Sequence, residues 1–340
     1  MMTDIKPQTS AFLKLGEYLK QVIKDEEFEQ LTTKIAGENP WFTINNIKKS
    51  FLGLSHMLEE DKLNTWINHY AFNKKERKKV GIIMAGNIPL VGFHDLLCTV
   101  VSGHHAIIKT SRQDTVLIKH ILNKLIAFEP ALSTQMTLAE RLNDIDAIIA
   151  TGSDNSSRYF EYYFGKYPHI IRKNRGSMAI ISGDEKEENL IKLGDDVFSY
   201  FGLGCRNVSS IFIPEDYDIH FLAEAWREHQ EVINHHKYAN NYDYQKSVFL
   251  INQEQHFDLG YVLLREHTDL LSPISVVHLH RYRQMKEVTQ YINENRAKIQ
   301  CIVASDVSIE SSVDFGMAQQ PELWDYADDV DTMDFLTSLD

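Results

Sequence analysis

Between residues 80 and 182 the chain alternates short apolar runs with amphipathic stretches, and this rhythm restricts its fold more than any other feature. The first run is Val80-Gly81-Ile82-Ile83-Met84-Ala85, and others lie at 106–109, 147–151 and 178–182. Runs this brief are too short for helices and read as strands buried on both faces of a parallel sheet. The intervening stretches predict a helix entered at Pro89, which suits a first helical position, and helices over about 114–127 and 156–166. Strand and helix in this order predict an α/β fold with an open, mostly parallel sheet.

Upstream, Phe12, Leu15, Leu19, Val22 and Ile23 recur at helical spacing, and Phe42, Ile47, Phe51 and Leu54 repeat it after Pro40. A basic stretch, Lys74 to Lys79, leads into the first strand. Beyond Gly183 the texture changes. An acidic helix runs from Asp184 to about Tyr200, and strands are expected at 208–213, 248–251 and 274–278. Residues 183–304 thus read as a second α/β domain. Residues 305–340 read as a tail that packs back on the first domain or on a partner subunit.

Composition narrows the functional classes. The 340 residues carry 35 Lys and Arg against 48 Asp and Glu, a net charge of −13, which disfavours nucleic acid and anionic membranes as partners. No apolar run approaches the roughly 18 residues of a spanning helix, and the first residues lack the apolar core of a signal peptide. Three widely spaced cysteines, Cys98, Cys205 and Cys301, form no metal-ligand pattern and suit free thiols in a reducing compartment. The expected location is the cytoplasm. Fifteen histidines do not assemble into a zinc pattern: adjacent pairs at 104–105 and 235–236 should diverge, so no metal is expected.

Four segments can carry chemistry. Cys205 lies in Phe201-Gly202-Leu203-Gly204-Cys205-Arg206-Asn207-Val208-Ser209-Ser210, a glycine-rich turn ahead of a strand. A thiol there is either a nucleophile that a carbonyl can approach closely or a small buried hydrophobe. In Ala85-Gly86-Asn87-Ile88-Pro89 the Asn87 amide can donate to an oxygen developing negative charge. The strand end Ile107-Ile108-Lys109-Thr110-Ser111-Arg112 offers cations and hydroxyls suited to ribose and phosphate. In Ala150-Thr151-Gly152-Ser153, backbone N–H groups around Gly152 can meet a pyrophosphate at a helix start. Neither GxGxxG nor a Walker A loop is present.

Taken in order, these segments resemble the aldehyde dehydrogenase superfamily. The run Phe201 to Ser209 resembles, within it, the LuxC-type fatty acyl-CoA reductases, as does the tail with Phe315-Gly316-Met317-Ala318-Gln319, Asp325-Tyr326-Ala327-Asp328 and Val330-Asp331-Thr332-Met333. The resemblance spans roughly 80–335 and implies a Rossmann-type cofactor domain within 1–182 and a catalytic domain within 183–304. It implies that Cys205 is the nucleophile, that Asn87 and the Cys205 N–H hold the oxyanion, and that Lys109, Ser111, Gly152 and Ser153 touch the cofactor. Asp269, four residues before Pro273, falls where the superfamily places a carboxylate on the nicotinamide ribose; the bland alternative is a solvated turn residue.

Two departures from the superfamily refine the expectation. Its hydrolytic members carry a glutamate that activates water, whereas the matching stretch here is Lys173-Asn174-Arg175-Gly176-Ser177. Without that base an acyl-enzyme survives until hydride or another thiol reaches it. Arg112 stands where NAD-preferring members tend to have glutamate, and a guanidinium there suits a 2′-phosphate. The expected protein is therefore an acyl-CoA reductase acting on a medium- or long-chain acyl thioester with NADPH, NADH remaining an alternative. An acyl-CoA or other acyl thioester is its expected partner, together with a homo-oligomeric copy or an acyl-transferring protein. Two rivals remain: a thioester-relay acyltransferase without hydride transfer, and a non-catalytic subunit, which the short length favours. Phe198, Tyr200 and Phe201 are expected at the acyl chain, and the aromatic run Tyr159 to Phe164 on a buried helix face.

Overall fold

A computed structural model describes residues 7–72, 76–305, 309 and 311–339. Lys74 and Lys75 of the basic stretch lie outside the described residues. The chain divides into two compact units, residues 1–174 with 320–340, and residues 175–319. Each is built on its own sheet.

In the first unit the amphipathic start of the chain forms α1 (Pro7–Val22), α2 (Glu26–Glu38), α3 (Ile44–Met57) and α4 (Glu60–Ile67). Phe12, Leu15, Leu19, Ile47 and Phe51 are fully buried, as their helical spacing predicts. The apolar runs at 80–85, 106–109 and 147–151 form β1 (Lys79–Ile83), β2 (His105–Lys109) and β4 (Ala147–Thr151), and the sheet adds two strands not expected from the sequence, β3 (Met136–Leu138) and β5 (His169–Arg172). Between them lie α5 (Phe93–Val101), α6 (Thr115–Phe128) and α7 (Asp154–Phe164). All strands pair in parallel in the order β3-β2-β1-β4-β5, a doubly wound sheet. Helix α5 begins at Phe93 rather than at Pro89, because Leu90 takes a left-handed φ of 60° and the turn continues past it.

The second unit holds β6 (Gly176–Ile180), α8 (Glu187–Phe198), β7 (Val208–Pro214), α9 (His220–Ala225) and α10 (His236–Ile251). It continues with β8 (Phe257–Asp258), β9 (Leu263–Glu266), β10 (Val276–Tyr282), α11 (Met285–Asn295), β11 (Ile299–Val303) and β12 (Ser312–Val313). The sheet order is β12-β11-β6-β7-β10-β9-β8, parallel except where β8 meets β9. Strand β6 pairs with β7 and β11, so the division falls at 174/175 rather than at 182/183. The strand expected at 248–251 is instead the last turn of α10, where Tyr238, Tyr242 and Phe249 are buried at helical spacing. Tyr159, Tyr162 and Tyr163 of α7 are exposed rather than facing a core.

The tail also divides. Residues up to 319 belong to the second unit, whereas residues 320–340, with α12 (Thr332–Ser338), belong to the first. The Trp66 indole donates to the Tyr326 hydroxyl at 2.7 Å, the Tyr70 and Tyr326 hydroxyls meet at 2.6 Å, and the Tyr70 hydroxyl donates to Asp331 at 2.7 Å. His104 accepts the Lys78 N–H at Nδ1 and donates from Nε2 to the Leu336 carbonyl, which sets its tautomer. Beneath α12, buried Arg172 pairs with buried Asp95 at 2.6 Å and donates to Thr332 at 2.9 Å. Removing one partner would leave an uncompensated buried charge. Arg172→Met is therefore expected to destabilise the protein by about 3–5 kcal/mol, read as a lower urea midpoint at unchanged slope; a shift of under about 1 kcal/mol would remove the pair's structural role.

Candidate active site

Because strands β1, β2 and β4 run in parallel side by side, the residues that follow them gather at one edge. Ile83 is level with Lys109 on one side and with Ala150 on the other. The reversal of winding in this sheet falls between β1 and β4, which makes their carboxyl edge the natural crevice for a ligand. Three of the segments singled out in the sequence arrive there: Gly86-Asn87 after β1, Lys109 to Arg112 at β2, and Gly152-Ser153 after β4.

The glycines permit a close fit. A side chain on Gly86 would lie 2.5 Å from both Cβ and Oγ of Ser111, so the two loops touch only because Gly86 has none. The Met84 N–H donates to the Lys109 carbonyl at 3.0 Å. Ser111 Oγ accepts the Gln113 N–H at 3.3 Å. Lys109 and Arg112 are exposed, and neither side chain has an ion-pair partner among the described residues. A side chain on Gly152 would lie 2.8 Å from Ser156 and 2.9 Å from the Phe160 ring. Ser153 is the N-cap of α7, accepting the Ser156 N–H at 3.4 Å. Asn87 is exposed at the head of its turn.

In the second unit the Cys205 loop reverses the chain between α8 and β7. Tyr200, Phe201 and Gly202 are all left-handed, with φ of 51°, 59° and 75°. Two such non-glycine residues each cost about 1–2 kcal/mol, so the loop needs anchors. Asn207 is the principal one, and sequence reasoning missed it. Buried at 3% exposure, its Nδ2 donates to the carbonyls of Ser199 (2.7 Å), Asp196 (3.1 Å) and Val197 (3.4 Å), and its Oδ1 accepts the Gly204 N–H at 2.8 Å. Ser177 Oγ donates to the Cys205 carbonyl at 2.9 Å. Arg206 Nε donates to the Ala318 carbonyl at 2.5 Å, while buried Asp196 accepts the N–H groups of Gly316 (2.6 Å) and Ala318 (3.0 Å). The only signal for Asn207 was a small amide two residues past the cysteine, ahead of a strand.

Cys205 is therefore held by its backbone on both sides while its residue remains partly exposed; Cys98 and Cys301 are buried. Burial pushes the Cys98 thiol up, away from reactivity. Phe201 is half-buried and stacks on His235 at 4.3 Å. Phe198 and Tyr200 are buried, Phe198 against Trp226, so of the three aromatics expected at an acyl chain only Phe201 remains open. Rings of His235 and His236 stack at 5.1 Å instead of diverging.

Asp269 is exposed, and its segment reaches the same region of the second unit. Ser210 donates to the Leu270 carbonyl at 2.6 Å, Ser209 to the same carbonyl at 2.8 Å, and His278 Nδ1 to the Asp269 carbonyl at 2.8 Å. Ser209 also reaches the Ser177 carbonyl at 3.4 Å, and Ser177 in turn binds Cys205. Two serines thus link the cysteine loop to the Asp269 segment. His280 stacks on Phe212 at 4.4 Å, and burial, with His278 beside it, lowers its pKa to about 4, so it is neutral near pH 7. Among the described residues no group of three or more His, Cys, Asp or Glu converges as a metal site.

A family model described as acyl-CoA reductase (LuxC) matches residues 43–314. The long-chain acyl-protein thioester reductase of Aliivibrio fischeri is 22% identical over 293 residues, covering 76% of this chain; the chain spans 60% of that protein's length. Among solved structures, indole-3-acetaldehyde dehydrogenase AldA of P. syringae, in complex with NAD+ and IAA, superposes with a TM-score of 0.65 at 12% identity, over 88% of this chain and 72% of its own. An aldehyde dehydrogenase of Mycobacterium tuberculosis complexed with NAD+ gives 0.63 at 13% identity, over 89% and 74%. The fold is that of the aldehyde dehydrogenases. Alkylation with limiting iodoacetamide, followed by peptide mass mapping, is expected to label Cys205 before Cys98 and Cys301; equal labelling in the folded protein would sink its assignment as the accessible thiol.

Proposed function

The chain belongs to the LuxC acyl-CoA reductase family, and on that premise we propose that it reduces an acyl thioester to an aldehyde through a thioacyl intermediate on Cys205. The observation that carries this reading is a partly exposed cysteine whose loop is pinned by Asn207 and Ser177. A nucleophile must be accessible and its backbone fixed, since displacement by about 1 Å is costly to rate.

The residues at the first sheet's carboxyl edge fit a nicotinamide dinucleotide. Its winding reverses there, Gly86 and Gly152 keep the floor open to close backbone approach, and the N-terminus of α7 faces the same edge. Lys109 and Ser111 would hold the adenosine ribose, Gly152 and Ser153 the pyrophosphate, and Asp269 the nicotinamide ribose. Arg112 would pair with a 2′-phosphate, which makes NADPH the preferred form. When bound, NADPH supplies the hydride that reduces the thioacyl carbon.

The remaining steps fall to the chain. The Cys205 thiolate attacks the acyl carbonyl, the Asn87 amide and the Cys205 N–H hold the resulting oxyanion, and the carbon–sulfur bond to the leaving thiol breaks. CoA or a carrier-bound thiol departs with a proton. After reduction, the thiohemiacetal hydroxyl loses its proton and its bond to Cys205 breaks, releasing aldehyde and thiolate. The stretch 173–177 offers no carboxylate to activate water, which favours reduction of the thioester over its hydrolysis to a free acid. The first unit would thus carry the cofactor and the second, residues 175–319, the nucleophile, with an acyl chain of medium or long length.

Purified protein given acyl-CoAs of graded length should oxidise NADPH, and Cys205→Ala should abolish this at least about 10³-fold. Absence of oxidation with either nicotinamide cofactor would shift the assignment to a thioester relay or a non-catalytic subunit. Arg112→Glu is expected to lower kcat/KM with NADPH by about 10-fold or more while sparing NADH; equal losses with both would overturn the preference for the phosphorylated cofactor.

A further inference from the structure

Asp114 occupies the N-cap position of α6, but its side chain makes no cap bond to that helix. Its Oδ2 instead accepts the Leu90 N–H at 2.9 Å, across to the turn that carries Asn87. Leu90 is left-handed, with φ of 60°, a conformation that a bulky side chain holds only where its surroundings over-determine it. Asp114 and Leu90 are 2% and 3% exposed, so no solvent can replace this bond. The other oxygen, Oδ1, has no hydrogen-bond partner among the described residues. Burial raises the carboxyl well above its ordinary value, against the opposing pull of the Leu90 N–H.

Two further contacts frame the same turn. Ser50 Oγ donates to the Pro89 carbonyl at 3.0 Å, and Gly86 lies hard against Ser111. Asn87 therefore sits between a fixed point at Gly86 and fixed points at Pro89 and Leu90. Of these anchors, Asp114 alone stabilises the left-handed residue, and it lies two positions beyond Arg112. We propose that Asp114 is a positioning residue: it sets the Asn87 turn and ties it to the 109–114 segment. The inference rests on the reading of Asn87 as the oxyanion donor.

The test is a double-mutant cycle with kinetics and amide exchange. Asp114→Ala is expected to lower kcat by about 10-fold or more, leave the KM for NADPH within about 2-fold, and speed exchange of the Leu90 amide. Asp114→Asn, which keeps an acceptor oxygen, should stay within about 3-fold of the unmodified protein. In an Asn87→Ala background, Asp114→Ala should cost less than about 2-fold more, because the group it positions is gone. If the alanine variant does not fold, Asp114→Ser, which is too short to reach Leu90, takes its place. A full additional loss in the Asn87→Ala background, or unchanged exchange at Leu90, overturns the positioning role and leaves Asn87 as assigned. An Asn87→Ala protein with undiminished kcat instead removes the oxyanion assignment, and this inference with it.

Discussion

A parallel sheet obliges every one of its strands to end at the same edge, and the first unit depends on that constraint. Hydrogen bonding sets β1 level with β2 and β4, so three loops far apart in the chain leave the sheet side by side. That register brings Asn87, Lys109 and Gly152 to one edge, and contacts between the loops, such as Asp114 to Leu90, then fix them there. The helices supply the burial that keeps the strands in register, since Val80, Ile82, Ala106, Ile108 and Ile149 are all fully buried between them. The second sheet uses the opposite end of a strand. Cys205 precedes β7, and its position comes from side chains rather than from strand ends.

Both candidate loops meet the same physical problem in the same way. Each turns through left-handed residues that are not glycine, Leu90 in one and Tyr200 with Phe201 in the other. Each strained turn is matched with a buried short polar side chain that satisfies its backbone: Asp114 for Leu90 N–H, Asn207 for Gly204 N–H and three carbonyls. Strain of this kind persists only when neighbours over-determine it, and it concentrates where a reactive group must be held. The Asp196 carboxylate extends the scheme, tying α8 to Gly316 and Ala318, where Arg206 also binds.

What could be read from the chain follows from the range of the interactions concerned. The apolar runs behind β1, β2 and β4 are local patterns, and these strands appear within a residue or two of expectation, whereas the short edge strands β3 and β5 lie outside it. Residues 248–251 mislead because Val248, Phe249, Leu250 and Ile251 are apolar in succession, yet only Phe249 is fully buried while Leu250 and Ile251 are exposed on α10. The run Tyr159 to Phe164 misleads in the opposite sense, since aromatic content is no measure of burial. Pro89 marks a turn rather than a helix start because Leu90 is left-handed, its N–H held by the Asp114 side chain 24 residues beyond Leu90. The anchors Asn207, Ser177 and Asp114 carry no motif; their roles arise from contacts with distant backbone, which no local pattern reports.

The stretch 173–177 joins these themes to the chemistry. A water-activating carboxylate is missing there, and several of its residues are engaged in holding the fold. Ser177 binds the Cys205 carbonyl, Arg175 donates to the Ile299 carbonyl at 3.3 Å, and Gly176 leaves room for Leu271, which would lie 2.4 Å from any added side chain. The segment is committed to supporting the cysteine loop and the Asp269 segment. On the proposed reading, these two properties reinforce one another. A thioester protected from water can wait for hydride, and a rigid support keeps its carbonyl in one orientation while it waits.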